Sequence, residues 1–105
     1  MQKKAPDSPQ KKEKNHFLFR LYITGASPIS SRAITNLKLF FDKLRVKNYE
    51  LEIIDVYQHP AMAKQENIIA LPLLVKKHPL PERKLIGDMS DSTKLSLMLG
   101  TEKIE

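Results

Sequence analysis

The 105-residue chain contains no cysteine and three glycines. Lack of cysteine excludes disulfides, thiolate metal sites and every thiol-based nucleophile or redox couple. Three scattered glycines leave no glycine-rich loop able to cradle phosphate. No apolar run approaches the ~20 residues that a membrane helix needs, and the start lacks the apolar stretch of a secretory signal. The expectation is a cytoplasmic protein with no membrane partner.

What is present is a basic chain of net charge +6, unevenly distributed. Residues 1–15, "MQKKAPDSPQKKEKN", hold five lysines against Asp7 and Glu13, with two prolines and no large apolar side chain besides Met1. This composition predicts a disordered basic arm, leaving residues 16–105 as one domain. A domain that small buries only about 60–65% of the surface of its unfolded chain, so oligomerisation is an expected supplement. Its thirteen basic and ten acidic groups resemble an ordinary solvated surface. Charge without interleaved aromatics in the arm argues against nucleic acid as a partner.

The alternation in "FLFRLYI", Phe17–Ile23, predicts a strand with Phe17, Phe19, Leu21 and Ile23 on one side. Ser27 before Pro28 supplies a cap and a first helical proline. Ala33, Leu37, Phe40 and Leu44, widened by Ile34 and Phe41, then follow helical spacing to about Arg45 or Lys47, with Asn48 as a plausible cap. "LEIIDVY", Leu51–Tyr57, reads as a second strand, pairing in parallel with the first through a right-handed crossover and lying at a sheet edge. A short helix is expected from Pro60, then a strand over "LPLLVKK", a turn over "HPLPE" and a strand over "RKLIG". Last comes a helix capped by Ser90 or Asp91, with Leu95, Met98 and Leu99 inward and Gly100 as its stop.

The predicted class is therefore α/β, a thioredoxin-like βαβ-α-ββα domain. In that layout a proline opening the third strand is commonly cis and close to the loop that enters the first helix. Pro72 stands there, which accounts for a proline inside an otherwise apolar segment.

The chemical readings mostly fail. At the mouth of the first helix, where thiol chemistry would need its nucleophile, the sequence reads "TGASPISS". Serines there can cap amides, but no histidine lies nearby to act as base. His16 precedes the first strand, His59 lies in "QHP" and His78 stands before Pro79, with no metal-ligand spacing among them. Asp88 and Asp91 suit capping and dipole roles at the start of the last helix. The sequence thus predicts no enzyme, no cofactor and no metal. Arg32, Lys38 and Lys43 on the polar side of the first helix suit docking to an acidic surface. Tyr22 and Tyr57 read as half-buried packing residues.

"LYITGASPISSRAITNLK", "LEIIDVYQHPAMAKQENIIALPLL" and "LPERKLIGDMSD" resemble the KaiB family of circadian clock proteins. The family pattern runs "LYVAG", an "IDV" strand, an "NP" turn, "ATPTL" and "R-x-IIGDLSD". Matching positions include Tyr22, Gly25, Pro28, Ile54, Asp55, Val56, Pro60, Ala70, Pro72, Leu74, Pro81, Arg83, Gly87, Asp88, Ser90 and Asp91. The resemblance implies a non-enzymatic regulator that binds a KaiC-type, RecA-like ATPase ring after the ring is phosphorylated, in clock or stress adaptation. It implies sequestration of a further regulator and displacement of the thioredoxin-like sensor domain of a histidine kinase. It also implies a resting homo-oligomer, tetramer or dimer, whose second half folds differently from the ring-binding monomer. The residues it marks for partner binding or switching are Asp55, Pro72, Pro81, Arg83, Gly87, Asp88 and Asp91, beside Arg32, Lys38 and Lys43.

This sequence departs from the pattern in four places. "ALPLL" puts Leu71 and Leu73 where threonines are usual, "ITG" replaces "VAG", the arm is longer, and "SLMLGTEKIE" ends where many members continue. Each added leucine, if newly buried, biases the balance of folds by roughly 1 kcal/mol. On the residues alone, the alternative is a generic thioredoxin-fold scaffold or a weak anion- or nucleic-acid-binding protein.

Overall fold

A computed structural model describes residues 16–44, 48–68 and 70–100. The elements run β1 (Phe17–Ile23), α1 (Pro28–Leu44), β2 (Tyr49–Asp55), α2 (Pro60–Glu66), β3 (Leu73–His78), β4 (Arg83–Ile86) and α3 (Ser92–Leu99). The predicted arm and the residues past Gly100 lie outside the described residues.

One four-stranded sheet has the order β2-β1-β3-β4. β1 pairs in parallel with β2, from Phe17 opposite Tyr49 to Ile23 opposite Asp55. It pairs antiparallel with β3, and β3 with β4 forms the expected hairpin. Alternation along β1 divides the interior in two. Phe19, Leu21 and Ile23 join Ala33, Leu37, Phe40 and Phe41 of α1, Leu74 of β3, and Leu95, Met98 and Leu99 of α3. On the other face Tyr22, Ile54, Leu73 and Val75 form a smaller cluster, covered in part by Met62 and Ile68.

The capping expectations hold. Ser27 Oγ accepts from the Ser30 amide at 3.3 Å, and Asp91 Oδ1 accepts from the Lys94 amide at 3.1 Å. Gly100 ends α3 in the left-handed region, its amide donating to Leu97 and Ser96 carbonyls. α1 runs to Leu44, so the expected stop at Arg45 or Lys47 falls on residues 45–47, outside the described residues.

Four expectations are corrected. β2 closes at Asp55, not Tyr57, because the Asp55 side chain accepts the Tyr57 amide at 2.9 Å and its carbonyl takes the Gln58 and His59 amides. A carboxylate that captures the backbone two residues on replaces a ladder with a turn. Tyr57 is consequently 77% exposed, while Tyr22 is fully buried; neither is half-buried. Leu44 is 45% exposed, since the rings of Phe19, Phe41 and Tyr49 already close the core, Phe41 and Tyr49 lying 4.5 Å apart. β3 begins at Leu73 and ends at His78, which is a strand residue rather than part of the turn. Pro72 has no N–H to give a ladder, so pairing starts one residue later, with Leu73 opposite Tyr22 and Ile86. The peptide bond before Pro72 is cis, as expected, and so are those before Pro79 and Pro81.

Candidate partner-binding site

Strand direction and register bring several of the marked residues to one end of the sheet. β1 and β2 finish there at Ile23 and Asp55, β3 starts there at Leu73, and β4 ends there at Ile86. The same end therefore holds the loop into α1, the Asp55 turn, Pro72, Gly87, Asp88 and the start of α3. Open α/β sheets characteristically bind ligands outside the carboxyl ends of their parallel strands.

The loop into α1 is closed by hydroxyls. Ser27 Oγ donates to Ser30 Oγ at 2.8 Å, the Thr24 amide donates to Ser30 Oγ at 3.3 Å, and the hydroxyls of Thr24 and Ser27 stand 3.5 Å apart. Ser30 is buried. These contacts hold the helix entrance rigid and leave each serine bonded to a neutral neighbour rather than to a base. Gly25 bends the loop at φ 53°, beside the Asp55 carboxylate.

Asp88 links two elements. Its Oδ1 accepts from the Ser90 amide at 3.1 Å, its carbonyl accepts from Asn36 Nδ2 at 2.9 Å, and its Oδ2 lies 3.9 Å from Arg32 Nε. Hydrogen bonds from Ser90, and then the Arg32 charge, hold this carboxyl below the usual aspartate range. Arg32 remains mostly exposed. Gly87, at φ 136°, donates its amide to the Pro72 carbonyl at 3.0 Å, joining the two family positions directly. Met89 is buried in the left-handed region at φ 64°, a position its side chain gives no reason to expect.

The other marked residues are elsewhere. Pro81 and Arg83 sit at the opposite end of the β3–β4 hairpin, Lys43 is in the last turn of α1, and Lys38 is exposed midway along α1. The set named from sequence is therefore divided between the two ends of the sheet, with Lys38 between them, and is not one site.

A further cluster has no signal in the sequence. The Glu66 side chain, 9% exposed, receives Lys77 Nζ at 3.3 Å and Lys84 Nζ at 3.2 Å, and the Tyr22 hydroxyl donates to it at 3.4 Å. Lys77 also pairs with Glu82 at 2.9 Å. Burial pushes the Glu66 pKa upward, but bonds from Lys84 and Lys77 outweigh it, and the net shift is downward. No residue spacing announces contacts among α2, β1, β3 and β4. Among the described residues, no group of three or more histidine, aspartate or glutamate side chains is placed to hold a metal ion. No described helix is long and apolar enough to cross a membrane.

The fold is thioredoxin-like, with hydroxyls at the entrance to α1 where a redox relative would need thiols. The KaiB domain family model matches residues 20–101. The circadian clock protein KaiB3 of Synechocystis sp. is 41% identical over 85 residues, covering 81% of this chain and 83% of that protein. The circadian clock oscillator protein KaiB of Synechococcus elongatus is 39% identical over 83 residues, covering 79% and 81%. The chain belongs to the KaiB family and is a non-enzymatic regulatory protein. Among solved structures, the N-terminal domain of Synechococcus elongatus SasA superposes with a TM-score of 0.73 at 22% identity, covering 95% of this chain and 97% of that one. Fasciola hepatica thioredoxin gives 0.65 at 16% identity, covering 83% and 81%. These two establish the fold.

Proposed function

We propose that this chain docks on a KaiC-type, RecA-like ATPase ring in the cytoplasm and controls the ring's phosphorylation cycle or signalling output, in clock or stress adaptation. The observation that carries this reading is family membership over residues 20–101. The geometry supports a particular surface for it: the end of the sheet formed by the hydroxyl-closed loop, the Asp55 turn, the Pro72–Gly87 contact and the Arg32–Asp88 pair. Arg32 is the exposed cation there and steers the chain toward an acidic patch on the ring.

Displacement of the thioredoxin-like sensor domain of a histidine kinase belongs to the same proposal, and follows from the family rather than from the shared fold. So does a resting homo-oligomer, tetramer or dimer, that gives way to the ring-bound monomer. Residues 1–15 are likewise proposed as a basic arm outside the domain of residues 16–105.

Binding to an immobilised, nucleotide-loaded ring tests the surface. Arg32→Glu is expected to weaken binding about tenfold, roughly 1.4 kcal/mol. Lys43→Glu, at the other end of α1, is expected to change it less than about twofold. Equal losses for both would contradict the assigned surface, and no binding by the unmodified chain would contradict the function.

A further inference from the structure

The two edges of the sheet differ in charge. β2 (Tyr49–Asp55) presents Glu50, Glu52 and Asp55, of which Glu52 pairs with Arg20 at 2.7 Å and Glu50 lies 3.6 Å from His16, whereas β4 (Arg83–Ile86) presents Arg83 and Lys84 with no acid. β4 is an outer strand, so one row of its backbone groups lacks a partner strand. Beside it runs a groove of about 410 Å³, walled by Arg83, Lys84 and Leu85 of β4 and by Lys94, Leu97 and Met98 of α3. Its floor is apolar. Met98 belongs to the main core, Leu85 packs against it, and Leu97 remains 48% exposed.

Two of the three cations that line this groove stand without a counter-charge among the described residues. The Arg83 and Lys94 side chains have no ion pair among the described residues, and Lys84 turns to Glu66 on the other face. Lys76 deepens the imbalance. It lies opposite Arg83 in register and alternates with Leu74 toward the main core, only 4% exposed and without an ion pair among the described residues. Burial first, and then repulsion from Arg83, draw its ammonium group below the ordinary lysine range. Arg83 and Lys94, exposed beside the apolar side chains of Leu97 and Met98, give the groove a positive surface that is complementary to an anionic segment.

We propose that the β4–α3 groove is a second docking site, which takes an acidic, extended segment of another protein as an added strand on β4. Main-chain hydrogen bonds to the β4 edge give such a segment its register. Carboxylates at alternate positions then share one face of the added strand, toward Arg83 and Lys94, and the intervening side chains point to its other face. This site is independent of ring docking at the Arg32–Asp88 end.

The probe is a fluorescein-labelled octapeptide of alternating glutamate and leucine, titrated into the 15N-labelled full chain. Amide shifts are expected in residues 83–86 and 94–98, with affinity falling as salt rises from about 0.05 to 0.3 M. The double variant R83Q/K94Q is expected to bind at least about tenfold more weakly with other amide positions unchanged, and a lysine–leucine octapeptide is expected not to bind. Shifts centred on β2, or equal binding of the lysine peptide, overturn the proposal. So do β4–α3 resonances that move with protein concentration in the absence of peptide, which would mark a second copy as occupant. The proposal is likewise overturned if E102Q/E105Q moves those resonances, because the chain's own C-terminal residues would then fill the groove.

Discussion

Asp91 and Asp88 show how far single carboxylates account for the loop before α3. Asp91 satisfies the Lys94 amide at the start of the helix, and Asp88 turns the chain by accepting from Ser90. Removing a cap of this kind costs about 1 kcal/mol, so D91A is expected to lower urea-unfolding stability by that amount while leaving the slope unchanged. An unaltered midpoint would show that the cap contributes nothing. Glu66 offers a test with a pH signature. Its folded pKa is lowered by Lys84 and Lys77, so its contribution is present above the unfolded value of about 4.3 and is lost as pH falls through the folded value. E66Q should therefore unfold roughly 1–2 kcal/mol more easily than the unmodified chain at pH 7. The two stability curves should converge toward pH 3, and a constant gap would refute the ionic role. At this scale the caps were legible, because Ser27, Asp91 and Gly100 act within a few residues of their own position. Glu66, Met89 and Lys76 were not, because their surroundings come from strands distant in sequence.

Among the elements, β2 and β3 show local chemistry overriding strand propensity. Tyr57 favours strands, yet Asp55 takes its amide into a turn, one residue after Val56 still donates to Ile23 of β1. Leu71 and Pro72 extend an apolar run, yet the ladder waits for Leu73. The first half of the chain was readable because α1 has a long periodic stripe and β1 a clean alternation with both faces covered. α2 was harder to read, since it buries no residue fully and is fixed through Met62, Ile68 and the Glu66 bonds. Leu73, in the smaller cluster, stands where threonine is usual in the family. L73T removes buried aliphatic surface and adds a hydroxyl among Tyr22, Ile54 and Val75, so it should destabilise this fold by about 1–2 kcal/mol in denaturant titration. If the chain also has the proposed resting form, the same change should raise the oligomer's share at fixed concentration. A neutral substitution would mean that Leu73 does not bias the two forms.

As a whole molecule, the chain places a family-marked surface at one end of its sheet and a cationic groove along the opposite edge from β2. The architecture followed from element order, and the thiol-free helix entrance followed from composition. The division of the marked residues between two ends did not, because it depends on strand direction and register. The central claim is that this fold is a regulator of a KaiC-type ring. It is tested most directly by light scattering behind size exclusion on the full chain mixed with a phosphorylated, nucleotide-loaded ring, sampled over a day. A ring complex of higher mass is expected to appear gradually as the free chain is depleted. A competent ring that stays at its own mass beside an unchanged pool of free chain would contradict it.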